Sequence, residues 1–82
     1  MLVQNAINTL FNSDNFKTFI SEHGFTVDAC HELHAKIKKA QNFWYYEIYL
    51  NYHDPTTTSN DMIASVRINE NGTFAILNIN FI

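Results

Sequence analysis

Cysteine, proline and glycine are scarce in this sequence, and each scarcity narrows the classes of protein it can encode. Among 82 residues there are one cysteine, one proline and two glycines. The single cysteine, Cys30, excludes an intramolecular disulfide framework and is typical of a reducing compartment. Neither Gly24 nor Gly72 lies in a glycine-rich phosphate loop, and each has a predicted turn role of its own. We therefore expect a cytoplasmic protein, and no cofactor is predicted.

Positive charge and long apolar runs are also missing. Five lysines and arginines stand against eight acidic residues, which gives a net charge of −3. Nucleic acid is not expected as a partner, because the positive field that gathers it is absent. No apolar run approaches the ~20 residues that span a bilayer, and no basic region precedes the first apolar residues. The sequence predicts neither a membrane segment nor a signal peptide.

Aromatic residues are abundant by comparison. They make up 15% of the chain, almost as much as the 16% that is charged. This composition argues against disorder and leaves little charge to cover the surface, so we expect some aromatic area to stay exposed. The length fits a single domain, residues 1–82, whose core comes from two layers of secondary structure.

The dipeptide Asn71-Gly72 between two β-rich runs is the clearest structural signal. It favours a two-residue type I′ turn between strands at residues 62–69 and 73–82. In the resulting register every second pair is apolar on both strands, as one buried sheet face requires. These pairs are Ile68/Ala75, Val66/Leu77, Ala64/Ile79 and Met62/Phe81.

Residues 43–53 form the other evident strand, followed by a predicted loop at residues 54–61. Placing Glu47 opposite Arg67 adds a cross-strand ion pair and keeps the apolar residues of both strands on one side. The more apolar positions of this strand are Trp44, Tyr46, Ile48, Leu50 and Tyr52. The sequence thus predicts a three-stranded antiparallel meander with strands in chain order.

The N-terminal half has helical spacing. Residues 2–12 fit one helix and residues 13–23 a second that stops at Gly24, although a single kinked helix fits as well. Thr26 is a predicted cap for a third helix at residues 27–41. The expected fold is α+β, with two or three N-terminal helices packed on one face of the meander.

Two motifs in this predicted third helix invite chemical interpretations. His31-Glu32-Leu33-His34 is one residue short of the zinc-protease spacing, and Cys30 and His34 share a helical face. Both lack the third or fourth ligand, or the orienting group, that such sites normally need. His53, beside Asp54 at a strand end, fits a loop residue better than a general base. We predict no catalytic residue and no metal ligand, and keep a small metal-dependent enzyme as an alternative.

Residues 16–37 can also be laid onto a helix-turn-helix, with Gly24 at the turn and the later strands as a wing. Asp28 and Glu32 would face outward where the second helix should contact bases, which argues against this interpretation. A winged helix-turn-helix DNA-binding regulator therefore remains an alternative.

The sheet face away from the helices is the predicted functional surface. Its aromatic, arginine and amide side chains have the composition of a protein-binding region, unless helices or a loop cover them. The residues predicted to contact a partner are Tyr45, Glu47, Tyr49, Arg67, Asn69, Phe74 and Ile76.

These observations favour a small non-enzymatic protein-binding module. Such a module could be a stoichiometric inhibitor, an immunity factor or a phage-encoded antagonist that uses its exposed sheet face or an edge strand. The C-terminal strand carries no lysine or proline that would protect its edge, so a homodimer through a sheet edge is also expected to be possible.

Overall fold

Two helices precede a four-stranded antiparallel sheet in the computed structural model, which describes residues 2–52 and 60–82. The elements are α1 (Leu2–Asn12), α2 (Asp14–Ser21), a short 3-10 turn (Val27–Ala29), β1 (Cys30–Lys39), β2 (Trp44–Tyr52), β3 (Asn60–Ile68) and β4 (Phe74–Phe81). The strands lie in the order β1-β2-β3-β4. The α+β class is confirmed, but the sheet has four strands and not three.

Strand β1 occupies most of the segment predicted as a third helix, and that prediction is wrong. The strand pairs with β2 along its length, with Leu33 opposite Leu50 and Ile37 opposite Tyr46. A tight turn joins the two strands, in which the Ala40 N–H donates to the Phe43 carbonyl oxygen at 2.8 Å. As a strand, this segment satisfies the backbone groups along the edge of β2, which a helix would leave unpaired.

The N-terminal segment forms two helices, which answers the question that the sequence left open. Ser13 lies between them in an extended conformation, and its hydroxyl accepts a hydrogen bond from the Phe16 N–H at 3.3 Å. This contact caps the first turn of α2. Gly24 ends the helical region with a φ of 83°, in the left-handed conformation that glycine adopts without strain.

Both helices pack on one side of the sheet, which we call the inner face. The residues buried there come from α1, α2, β2 and β3: Ala6, Ile7, Leu10, Phe16, Ile20, Tyr46, Ile48, Leu50, Tyr52, Met62, Ala64 and Val66. Trp44 was predicted to share this core but is 49% exposed at the end of the sheet. The ammonium group of Lys39 lies over its ring, 4.8 Å from the centroid.

The turn between β3 and β4 differs from the predicted type I′ turn. The Asn69 N–H donates to the Thr73 oxygen at 2.9 Å, and Gly72 is the only residue of the turn with a positive φ. Three residues therefore form the loop where two were predicted. Val66 consequently faces Ile76 and not Leu77. A bulge at Leu77 then restores the predicted pairs from Ser65/Asn78 to Met62/Phe81.

The register between β2 and β3 also differs from the prediction, by two residues. Arg67 lies opposite Tyr45, and Glu47 lies opposite Ser65, so the predicted Glu47–Arg67 ion pair is not formed. A shift of two keeps every side chain on its predicted face. The predicted loop at residues 54–61 lies mostly outside the described residues, as does His53, while Asp61 belongs to β3.

Candidate functional site

The side of the sheet opposite the helices, here called the outer face, is the candidate site. The sheet residues that pack in the core all belong to the inner face, so α1 and α2 leave the outer face uncovered. Alternate residues of the four strands form it: Glu32, His34, Lys36, Lys38, Tyr45, Glu47, Tyr49, Asn51, Asp61, Ile63, Ser65, Arg67, Ala75, Asn78 and Asn80.

Five of the seven predicted contact residues lie on this face or at its border. Tyr45, Glu47, Tyr49 and Arg67 lie on neighbouring strands, with Tyr45 directly opposite Arg67. Asn69 lies at the end of β3, where its side-chain amide donates to the Thr73 hydroxyl at 3.0 Å. The sheet therefore brings the first four together and leaves Asn69 engaged in the turn.

Phe74 and Ile76 were predicted on the outer face, and this prediction is wrong. Both pack against the buried core from the inner face. The extra residue in the turn shifts residues 74–76 by one position, before the bulge at Leu77. Their side chains therefore point to the face opposite the predicted one, because adjacent residues of a strand point to opposite sides. Leu77, predicted in the core, is 44% exposed.

Strand β1 adds residues that the sequence interpretation missed. His34 lies opposite Tyr49, Lys36 opposite Glu47, and Lys38 opposite Tyr45. The signal was the alternation of polar and apolar residues from Glu32 to Lys38, a strand pattern that the helical interpretation overlooked. The outer face is therefore richer in cations than expected.

A polar cluster is centred on Glu47. One carboxylate oxygen accepts a hydrogen bond from the Tyr49 hydroxyl at 2.9 Å and lies 3.8 Å from the Lys38 ammonium nitrogen. The hydrogen bond to Glu47 raises the pKa of Tyr49 above its ordinary value. The Tyr49 hydroxyl thus acts as the donor to Glu47.

The ring of Tyr49 also contacts two side chains of β1. His34 stacks on it with a centroid distance of 5.0 Å and an interplanar angle of 20°. The ammonium nitrogen of Lys36 lies 5.7 Å from the ring centroid. Stacking and cation–π contacts restrict the orientation of these side chains.

Arg67 lies at one end of the outer face. Its guanidinium carbon is 4.6 Å from the centre of the Phe43 ring, which in turn lies 6.0 Å from the ring of Tyr45. The Arg67 Nε is buried and has no hydrogen-bond partner among the described residues. The one ion pair within residues 2–52 and 60–82 joins Lys38 to Glu47. The charge of Arg67 is therefore not balanced by a carboxylate in this part of the chain.

The other end of the outer face is acidic. A shallow depression of about 230 Å³ is lined there by Glu32, His34, Tyr49, Asn51 and Asp61, together with Leu50, Met62 and Ile82. The Asn51 amide donates to an Asp61 carboxylate oxygen at 2.7 Å. Positive charge thus lies at the Arg67 end of the face and negative charge at the Asp61 end.

Cys30 and His34, which shared a face of the predicted helix, lie on opposite faces of the sheet. Cys30 packs against the core and donates a hydrogen bond to the Glu32 carbonyl oxygen at 3.3 Å, whereas His34 lies on the outer face. Burial raises the pKa of the Cys30 thiol, which disfavours a reactive thiolate. Within the described part of the chain, no group of three His, Cys, Asp or Glu residues could hold a metal ion.

The helix-turn-helix arrangement is not formed either, because most of the residues assigned to its second helix belong to β1. Neither α1 nor α2, the α-helices of the described residues, has the length and apolar character needed to cross a membrane. Comparison with known protein families, curated proteins and solved structures finds no match. The geometry of the outer face is therefore the basis for a functional hypothesis.

Proposed function

We propose that this chain is a small non-enzymatic protein-binding module that docks another protein on its outer face. The observation that carries the proposal is Arg67, a cation held against Phe43 on a face that α1 and α2 leave uncovered, without a carboxylate partner among the described residues. A partner protein that supplies a carboxylate at this position would complete the interaction.

Aromatic side chains around Arg67 would supply most of the contact area. Phe43 lies beside the guanidinium group, Tyr45 lies opposite Arg67 on β2, and Tyr49 lies farther along β2. Tyrosine and arginine are enriched among the residues that dominate binding energy at protein interfaces. Tyrosine buries much area in few conformations, and arginine offers a planar set of hydrogen-bond donors. The contacts with His34 and Glu47 already restrict Tyr49, so little conformational freedom would be lost on binding.

The charge distribution specifies the orientation of the partner. Lys38 and Arg67 at one end favour acidic side chains, while Glu32 and Asp61 at the other favour basic ones. Such complementarity increases the association rate and fixes the register of a complex more than it raises affinity. An arginine also binds a carboxylate through two parallel hydrogen bonds, which adds geometric selectivity.

We place the module in the cytoplasm, in keeping with its one cysteine. Its size of 82 residues suits a stoichiometric inhibitor, an immunity factor or a phage-encoded antagonist. Such a protein acts by covering a surface of its target. Its effect would therefore follow occupancy and would need no turnover.

The test compares substitutions on the outer face with a matched substitution on a helix. Arg67→Gln and Tyr49→Ser alter the proposed surface, while Lys17→Gln removes an exposed charge from α2. A partner captured by the wild-type chain is purified and titrated against each variant. Arg67→Gln should cost about 2 kcal/mol of binding free energy, about a 30-fold loss of affinity.

Lys17→Gln should bind like the wild type, and thermal unfolding should confirm that each variant folds. A captured protein whose affinity is the same for all variants would contradict the proposal, because its contact would lie elsewhere on the chain.

A further inference from the structure

The two edges of the sheet differ in charge. The edge strand β1 carries Lys36, Lys38 and Lys39, whereas β4 has no charged residue between Phe74 and Phe81. Lysines on an edge strand oppose pairing with another strand, and a second β1 edge would be repelled by them. The edge of β4 has no such protection.

The hydrogen-bonding groups on this edge can be assigned from the register. The Ile82 N–H donates to the Asp61 carbonyl oxygen at 3.0 Å, and Phe81 lies opposite Met62. In an antiparallel pair the residues alternate between those that bond to the neighbouring strand and those that do not. The N–H and C=O groups of Ile79 and Phe81 therefore point away from β3, toward the free edge.

We propose that a second copy of this chain pairs with β4 through residues 78–82, antiparallel and about a two-fold axis at Asn80. Ile79 then lies opposite Phe81 of the second copy, and Phe81 opposite its Ile79. Both positions direct their backbone groups outward, so four backbone hydrogen bonds form across the junction. The product is a continuous eight-stranded sheet with the helices of both copies on one side.

Side chains near the junction supply apolar area to bury. Phe81 is 36% exposed, and its ring contacts Phe19 of α2 and His23 in the turn after α2, at centroid distances of 5.1 and 4.4 Å. Ile79 points to the same side of the sheet. The bulge at Leu77 lies outside the paired stretch, so the bonded residues belong to the regular part of the strand.

Pairing of β4 with a second β4 also closes the assembly. A β1 edge added to a β4 edge would leave a free edge at each end and continue into a filament, whereas two β4 edges about a two-fold axis stop at a dimer. The β1 lysines then lie at both outer edges of the combined sheet. This dimer leaves the outer face uncovered and does not depend on the function proposed for it.

Disulfide trapping tests both the edge and the register. In a Cys30→Ser background, Asn80→Cys places two thiols at the two-fold axis in a non-hydrogen-bonded pair, where the Cα atoms are about 4.5 Å apart and a disulfide can form. Asn78→Cys is the matched control on the same side of the same strand. Its two copies would be separated by about 13 Å along the strand, too far for a disulfide.

Each full-length variant is oxidised with diamide and separated on a non-reducing gel. We expect Asn80→Cys to form a covalent dimer in large excess over Asn78→Cys, and sedimentation of the wild-type chain to show a dimer. A monomeric wild type, or trapping that is equal or absent for the two variants, would overturn the proposal.

Discussion

At the scale of single residues, Tyr52 shows how burial determines chemistry in this chain. Its side chain is wholly buried, in contact with the rings of Phe16 and Phe25. The hydroxyl group lies 3.5 Å from the Val27 carbonyl oxygen, at the limit of a hydrogen bond. Burial raises the pKa of Tyr52 well above its ordinary value, because the core does not solvate a phenolate.

This shift predicts a loss of stability at alkaline pH. The unfolded chain releases the Tyr52 proton near the ordinary value of 10, whereas the folded chain retains it. The free energy of unfolding should therefore be unaffected below pH 10 and fall above it, by about 1 kcal/mol at pH 11. Urea unfolding of the wild type and of Tyr52→Phe across this range measures the effect.

At neutral pH the two proteins should differ little, because the hydrogen bond that phenylalanine removes is long. Above pH 10 the Tyr52→Phe variant should lose less stability than the wild type. Parallel pH curves for the two proteins would show that Tyr52 does not contribute.

At the scale of elements, local sequence signals were sufficient for some elements and insufficient for others. The sequence predicted the elements whose signals lie in adjacent residues. These signals are the cap at Ser13, the stop at Gly24 and the β-rich runs of β2, β3 and β4. The segment of β1 fits both helical and strand periodicity. Its state is decided by pairing with β2, a tertiary contact that no local propensity contains.

In the β3–β4 hairpin, the local sequence located the turn but did not determine the length of its loop. Asn71-Gly72 correctly located the reversal, but both a two-residue and a three-residue loop can use a glycine with positive φ. The three-residue loop allows Phe74 and Ile76 to pack against the core. One added loop residue was therefore enough to move Phe74 and Ile76 from the predicted outer face to the inner face.

Because of the bulge, we expect substitutions at the adjacent residues Ile76 and Leu77 of β4 to differ in their effect on stability. Ile76 packs on the core, whereas Leu77 is exposed. Ile76→Ala should lower the free energy of unfolding by about 2 kcal/mol, the lower end of the range for buried isoleucine because the site is only partly buried. Leu77→Ala should change it by about 0.5 kcal/mol or less. Urea unfolding of both variants gives the comparison.

Equal costs, or a larger cost at Leu77, would contradict this order. The predicted two-residue turn would then describe the hairpin better, with Leu77 directed into the core.

At the scale of the whole molecule, the sheet divides the chain into a covered side and an open side. The two short helices cover the centre of the inner face, while Ile37 and Trp44 of that face stay 56% and 49% exposed. The molecule measures 42 × 20 × 20 Å. Tyr45, Glu47, Tyr49 and Arg67 were assigned to the open side from alternation alone, and the register error of two residues did not move them. The residues that face each other across the strands depended on tertiary pairing and could not be predicted. The alternation that places the β1 cations on this side was present in the sequence, but it did not exclude a helix.

Amide chemical-shift mapping shows whether another protein binds on this open side. The isotope-labelled chain is titrated with its purified partner, and the shifts of all assigned amides are followed. We expect the perturbed amides to cluster around Lys36, Glu47, Tyr49 and Arg67, while those of α1 stay unchanged. Perturbations confined to α1 and α2, with the outer-face amides unmoved, would contradict it.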